Sequence, residues 1–137
     1  MSMTVNPFTS ITTLPLEFVA LLDTLLKDTT IKSSEIIALN FRDPTYSAEN
    51  GGYHSVEIHV DSKGDVLSIT DFAYFGAPPF VELGIELDWN FEQDSFRQFD
   101  SMYDLQCECG RSLLGLYTRN FTAYYHSGVY QVEITTL

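Results

Sequence analysis

The residue types best able to do chemistry are concentrated between positions 42 and 71. Arg42, Asp43, Tyr46, Glu49 and Asn50 precede the pair Gly51 and Gly52 in a stretch that joins two strand-like segments. That stretch exceeds the roughly two to five residues a hairpin needs, and long loops on a rigid sheet are where binding groups often sit. Arginine offers a planar fork for a carboxylate or phosphate, and paired glycines let backbone approach a ligand closely. Tyr53 and His54 follow, His54 on the apolar face of the next strand, with Asp71 on the partner strand placed to orient it as a general base. The candidate binding set is therefore Arg42, Asp43, Tyr46, Tyr53, His54 and Asp71. A structured loop with Arg42 paired to Asp43 or Glu49 accounts for the same residues without a ligand.

A second concentration is purely acidic. From Glu82 to Glu108 eight carboxylates stand against the single Arg97, a net −7 out of the chain's −12. A surface of that sign repels phosphate backbones, so direct nucleic-acid binding is disfavoured and a basic protein is the partner class it fits. Glu86, Asp88, Glu92 and Asp94 are the candidate docking residues, and an array of carboxylates imitating DNA is a special case of the same idea. A solvated face explains the charge equally well.

Metal and cofactor motifs do not emerge, and neither a metal site nor a cofactor is expected. Asp88–Asp94 opens like a calcium loop, but the sixth position is Gln93 and the twelfth is Phe99, where glycine and glutamate are needed. Glu57 and His59 share the outer strand face without a third ligand. Cys107 and Cys109, if helical, point about 200° apart and cannot share a metal. They read as free thiols of a reducing compartment. Nucleophile-elbow, phosphate-loop and dinucleotide signatures are all missing.

The elements that must position these residues follow from hydropathic period. Leu14, Phe18, Leu21, Leu22 and Leu25 recur at helical spacing, which predicts an amphipathic helix over 14–27 with Thr13 as N-cap. Residues 36–41, 53–60 and 66–74 read as strands, the last two joined by a hairpin turn at 61–65. Residues 81–91 alternate strictly apolar and polar, the pattern of a half-buried strand. Residues 94–104 are ambiguous. A second helix over 106–126 closes at Gly128, and a final strand covers 129–135. This order predicts an α+β domain spanning 1–137, with a mainly antiparallel sheet of about five strands and two helices packed on one face. Residues 1–12 read as a loose lead-in. At 137 residues, 45% apolar, with 10 Phe and 8 Tyr, the chain has ample material for one aromatic core. No apolar run approaches the ~18 residues that span a bilayer, and no signal peptide is legible, so a cytoplasmic location is expected.

Three segments carry a resemblance: Phe41–Ile58 (FRDPTYSAENGGYHSVEI), Ile69–Tyr74 (ITDFAY) and Asn120–Tyr130 (NFTAYYHSGVY). Together the chain resembles an uncharacterised family of small stand-alone proteins from gamma-proteobacteria such as vibrios and Shewanella, some carried on mobile elements. The resemblance covers nearly the whole chain and implies no activity or catalytic residue. The favoured expectation is a non-enzymatic accessory or protein-interaction module docking through the acidic segment. A small-ligand-binding protein or enzyme built on the Arg42–His54 region is the alternative, and an acidic DNA mimic the third. Oligomeric state is left open.

Overall fold

The computed structural model describes residues 4–137. Its elements run α1 (Leu16–Leu26), β1 (Ile36–Arg42), β2 (Ser55–Asp61), β3 (Val66–Phe75), β4 (Glu82–Asn90), β5 (Ser95–Gln98), β6 (Ser101–Asp104), α2 (Glu108–His126) and β7 (Gln131–Thr136). The seven strands form one sheet in the order β6-β5-β4-β3-β2-β1-β7, with every pairing antiparallel. The first six make a meander. Helix α2 then carries the chain back across the sheet so that β7 pairs with β1.

The expected α+β class and its two helices are present, but the strands among the described residues number seven rather than about five. The extra pair comes from the ambiguous residues 94–104. Phe96 is fully buried on β5, and Phe99, at φ 57°, turns the chain between Gln98 and Ser101. Helix α1 begins at Leu16 with Pro15 at the N-cap position, not Thr13. Residues 4–12 are not loose, because Val5 is buried and its N–H donates to Asp23 Oδ1 at 2.7 Å. Residues 1–3 of that expected lead-in lie outside the described residues. Among the described residues no helix is long and apolar enough to cross a membrane.

Strand parity sorts the two faces of the sheet. Leu39, Phe41, Val56, Ile58, Val60, Ile69 and Trp89 point to the helices and join Phe18, Leu22 and Phe121 in one buried cluster. The opposite face carries the row Asn40, Glu57, Thr70, Asp88 and Arg97, each beside the next across the strands. Glu57 and His59 pair there at 3.1 Å, and Thr70 Oγ1 donates to Asp88 Oδ1 at 2.7 Å.

Trp89 fixes where α2 begins. Its indole stacks on Phe96 with centroids 5.3 Å apart, and Nε1 donates to the Gly110 carbonyl at 2.9 Å. Gly110 permits this close approach, since a Cβ there would sit 3.0 Å from the Phe96 ring. Replacing Trp89 with Phe keeps an aromatic ring but removes the buried indole donor from the Gly110 carbonyl. Urea denaturation is expected to show a loss of about 2 kcal/mol for Trp89→Phe, and a loss below about 0.5 would mean that the indole bond does not hold the helix.

Candidate functional site

Asp71 lies in the middle of β3 on the helix-facing side, where only 4% of it is exposed. A carboxylate in such a place requires partners, because burying an unpaired charge costs several kcal/mol. Two neighbours supply them. His54, the residue before β2, brings Nδ1 to 2.8 Å from Asp71 Oδ1 along a diagonal between strands. Tyr117, on α2, donates its hydroxyl to Asp71 Oδ2 at 2.6 Å. Burial, reinforced by the Asp71 charge, pushes the Tyr117 phenol well above its ordinary pKa, so it remains a donor at neutral pH.

A third group comes from β4. Between Asp71 and Phe72 the β3–β4 register slips: Asp71 faces Leu87 and Phe72 faces Ile85, leaving Glu86 as the extra residue of a bulge. Strict alternation would put Glu86 on the open face with Asp88. The bulge instead turns it to the helix side, where Oε2 stands 2.9 Å from His54 Nδ1. The hydrogen bond to Asp71 raises the His54 pKa, with help from the Asp71 and Glu86 charges and against the effect of burial. Burial, above all, raises that of Glu86.

The loop before β2 holds this cluster from the other side. Asp43 accepts hydrogen bonds from Thr45 N–H (2.9 Å), Thr45 Oγ1 (2.7 Å) and Tyr53 N–H (3.1 Å), so its carboxylate is committed to shaping the loop. These bonds, that to the Thr45 hydroxyl foremost, lower its pKa. Gly52, at φ 136°, closes the loop, and a Cβ there would meet the Tyr46 backbone and the Asp43 carboxylate, both at 2.9 Å. Tyr46 is thereby laid against the His54 ring at 5.4 Å, and its hydroxyl accepts from Tyr74 N–H at 3.1 Å.

A cleft of about 410 Å³ opens beside the cluster, between α2 and the start of β2. His54, Asp71 and Tyr117 form its polar end, and Tyr53, Tyr124 and Tyr130 stand along its walls. Of the six candidate residues, Tyr53, His54 and Asp71 line this cleft, Tyr46 flanks His54, and Asp43 serves the loop. Arg42 does not converge. It is exposed on the open face of β1, beside Asn40, Gln131 and Glu133. Nor do the four acidic docking candidates share a surface: Glu86 joins the cleft cluster, Asp88 faces the other side of the sheet, and Glu92 and Asp94 lie in the exposed turn before β5. The cysteines also differ from expectation. Cys107 is the extended N-cap of α2 rather than part of it, which leaves its sulfur 3.4 Å from that of Cys109.

The sequence reading missed Glu86 as a partner of His54, and missed Tyr117 altogether. Nothing in the alternating pattern of 81–91 announces a bulge. Tyr117 falls on the apolar stripe of α2 with Leu113 and Phe121, where it reads as core.

Residues 16–135 match the family described as a protein of unknown function, DUF2787, and the chain belongs to that family. Two solved structures are similar over nearly their whole length. One, a hypothetical protein from the VSP-II pathogenicity island of Vibrio cholerae, is 30% identical with a TM-score of 0.77, over 92% of this chain and 99% of that one. The other, a conserved hypothetical protein from pathogenicity island VPI-2 of Vibrio cholerae O1 biovar eltor, is 32% identical with a TM-score of 0.76, over 95% and 98%. Its description states that it shares structural homology with the human P32 protein. Comparison with curated proteins found no significant match. These likenesses bear out the vibrio-type family and the α+β fold and assign no activity.

If Asp71 depends on its tyrosine partner, Tyr117→Phe should cost stability while keeping the ring's contact with Trp89 (5.1 Å). The expected loss in urea denaturation is about 2 kcal/mol, the usual size for a hydrogen bond to a charged group. A wild-type midpoint in the variant would show that His54 alone satisfies the carboxylate.

Proposed function

We propose that this protein binds a small ring-bearing molecule in the cleft between α2 and the start of β2. The molecule's polar end would rest on the His54–Asp71–Glu86 cluster and its flat body against Tyr53, Tyr124 and Tyr130. The observation that carries this reading is a buried carboxylate, held on two sides, at the end of an aromatic-walled cleft of about 410 Å³. Small-molecule sites have this make-up: a concave, mostly apolar space of about 300–1,000 Å³ with a few fixed polar groups. Tyrosine walls favour planar ligands, which stack on them at little entropic cost. The scattered carboxylates of the 82–108 segment give a basic protein partner no comparable single face. We place the protein in the cytoplasm because its only two cysteines stand one residue apart, where a bridge would be strained, so that they read as thiols of a reducing compartment.

The test is a ligand-observed NMR screen of planar aromatic fragments, with binding mapped by amide shifts. Fragments should perturb Gly52, Tyr53 and Asn120 together. Leu116→Trp, at an exposed position on the cleft's rim, should weaken the same fragments about ten-fold or more without lowering the melting temperature. Fragments that bind Leu116→Trp as well as wild type, or that shift amides elsewhere only, would overturn the reading.

A further inference from the structure

The end of the cleft holds three potential metal donors from three neighbouring segments: His54 before β2, Asp71 on β3 and Glu86 on the β4 bulge. One donor atom from each lies within 4.8 Å of the others, and no second such group occurs among the described residues. We propose that His54 Nδ1, Asp71 Oδ1 and Glu86 Oε2 bind a divalent first-row transition-metal cation on its protein side, leaving its remaining positions open to the cleft.

The distances fit one coordination geometry better than another. A six-coordinate cation about 2.1 Å from each donor needs adjacent donors about 3.0 Å apart, whereas a tetrahedral one needs about 3.4 Å. His54 Nδ1 stands 2.8 Å from Asp71 Oδ1 and 2.9 Å from Glu86 Oε2. Both distances match adjacent octahedral positions that share His54 Nδ1, and the two carboxylate groups bring donor atoms within 4.8 Å of each other.

Charge points the same way. Two carboxylates converge on one imidazole nitrogen, which carries at most one proton, so two acceptors compete for a single donor. A divalent cation in that space balances both negative charges and takes the imidazole as a neutral ligand. The supporting contacts are those a metal site requires of its surroundings. Tyr117 ties down Asp71 Oδ2 and leaves Oδ1 turned toward His54. Tyr46, anchored to the β3 backbone, steadies the plane of the imidazole. One nitrogen and two oxygens at this spacing suit Mn²⁺ or Fe²⁺ best and the more tetrahedral Zn²⁺ less well, and offer too few oxygens for Ca²⁺. The pair Glu57 and His59, with a single carboxylate on the open face, has no third donor beside it among the described residues and serves as an internal control.

The metal site stands on its own three donors. What it adds to the small-molecule reading rests on that reading: a ligand in the cleft would then carry an oxygen-donor head, such as a carboxylate or an enol, able to fill the open positions.

The test uses chelator-stripped full-length protein titrated calorimetrically with MnCl₂ and with ZnCl₂ at neutral pH, no small molecule being present. Saturable one-to-one binding is expected. Glu86→Gln, a half-exposed position that spares the fold, should weaken it by about ten-fold or more, and His54→Ala by at least as much. Glu57→Gln and His59→Ala should leave it unchanged. Mn²⁺ should also broaden amide signals around His54 and Asp71 first. No saturable heat at millimolar metal, or binding removed by His59→Ala and kept by Glu86→Gln, would overturn the assignment. Fragment binding that persists without metal binding would leave the small-molecule reading standing alone.

Discussion

Asp71 imposes the constraint around which the rest is arranged. Its carboxylate sits on the helix side of a central strand, surrounded by residues that bury apolar surface. Such a charge is tolerated only when its lone pairs are met, and losing one partner of a buried pair is strongly destabilising. Each partner belongs to a different part of the chain. Tyr117 fixes the rotation of α2 over the sheet, and His54 fixes the approach of the 43–53 loop to β2. The β4 bulge then brings Glu86 to the same point. One buried carboxylate thus links a helix, a loop and an irregular strand.

The loop's length follows from this arrangement. A tight turn from β1 to β2 would leave His54 unsupported. Here Asp43 folds the segment on itself through Thr45 and Tyr53, Gly52 takes a backbone conformation that side chains resist, and Tyr46 reaches over His54 to the β3 backbone. Asp43 and Gly52 shape the loop, and Tyr46 is the residue it delivers. The aromatic content has two uses as well. Phe18, Phe41, Trp89, Phe96 and Phe121 fill the core, while Tyr53 and Tyr124, with centroids 4.7 Å apart, stand half in water along the cleft.

Periodicity made much of the architecture legible. The heptad-like leucines of α1, the alternation of β2 and β3 with their hairpin, and the glycine that ends α2 with positive φ at Gly128 all follow from local rules. Residues 94–104 stayed ambiguous because two four-residue strands are shorter than any reliable period. The candidate site was half legible. His54 and Asp71 share the inward parity of paired strands, so their meeting follows from register. Arg42 stood out for its chemistry, yet parity directs it to the open face opposite Phe41. Glu86 could not be placed, since a bulge is a departure from the very pattern used to read a strand. Cys107 shows the same effect at a helix end: one residue's shift from helix to cap brings two sulfurs together that a continuous helix would separate.

These features make the protein a sheet whose β4 bulge and tyrosine-bearing helix α2 converge on His54 and Asp71 at the end of an aromatic cleft, where we propose that a cation binds. The most direct measurement is an anomalous-difference map from crystals grown with manganese. A cation held there would give one strong peak within coordination distance of His54 Nδ1, Asp71 Oδ1 and Glu86 Oε2. An empty position there, with manganese bound instead at Glu57 and His59 or along the exposed acidic turn, would contradict it.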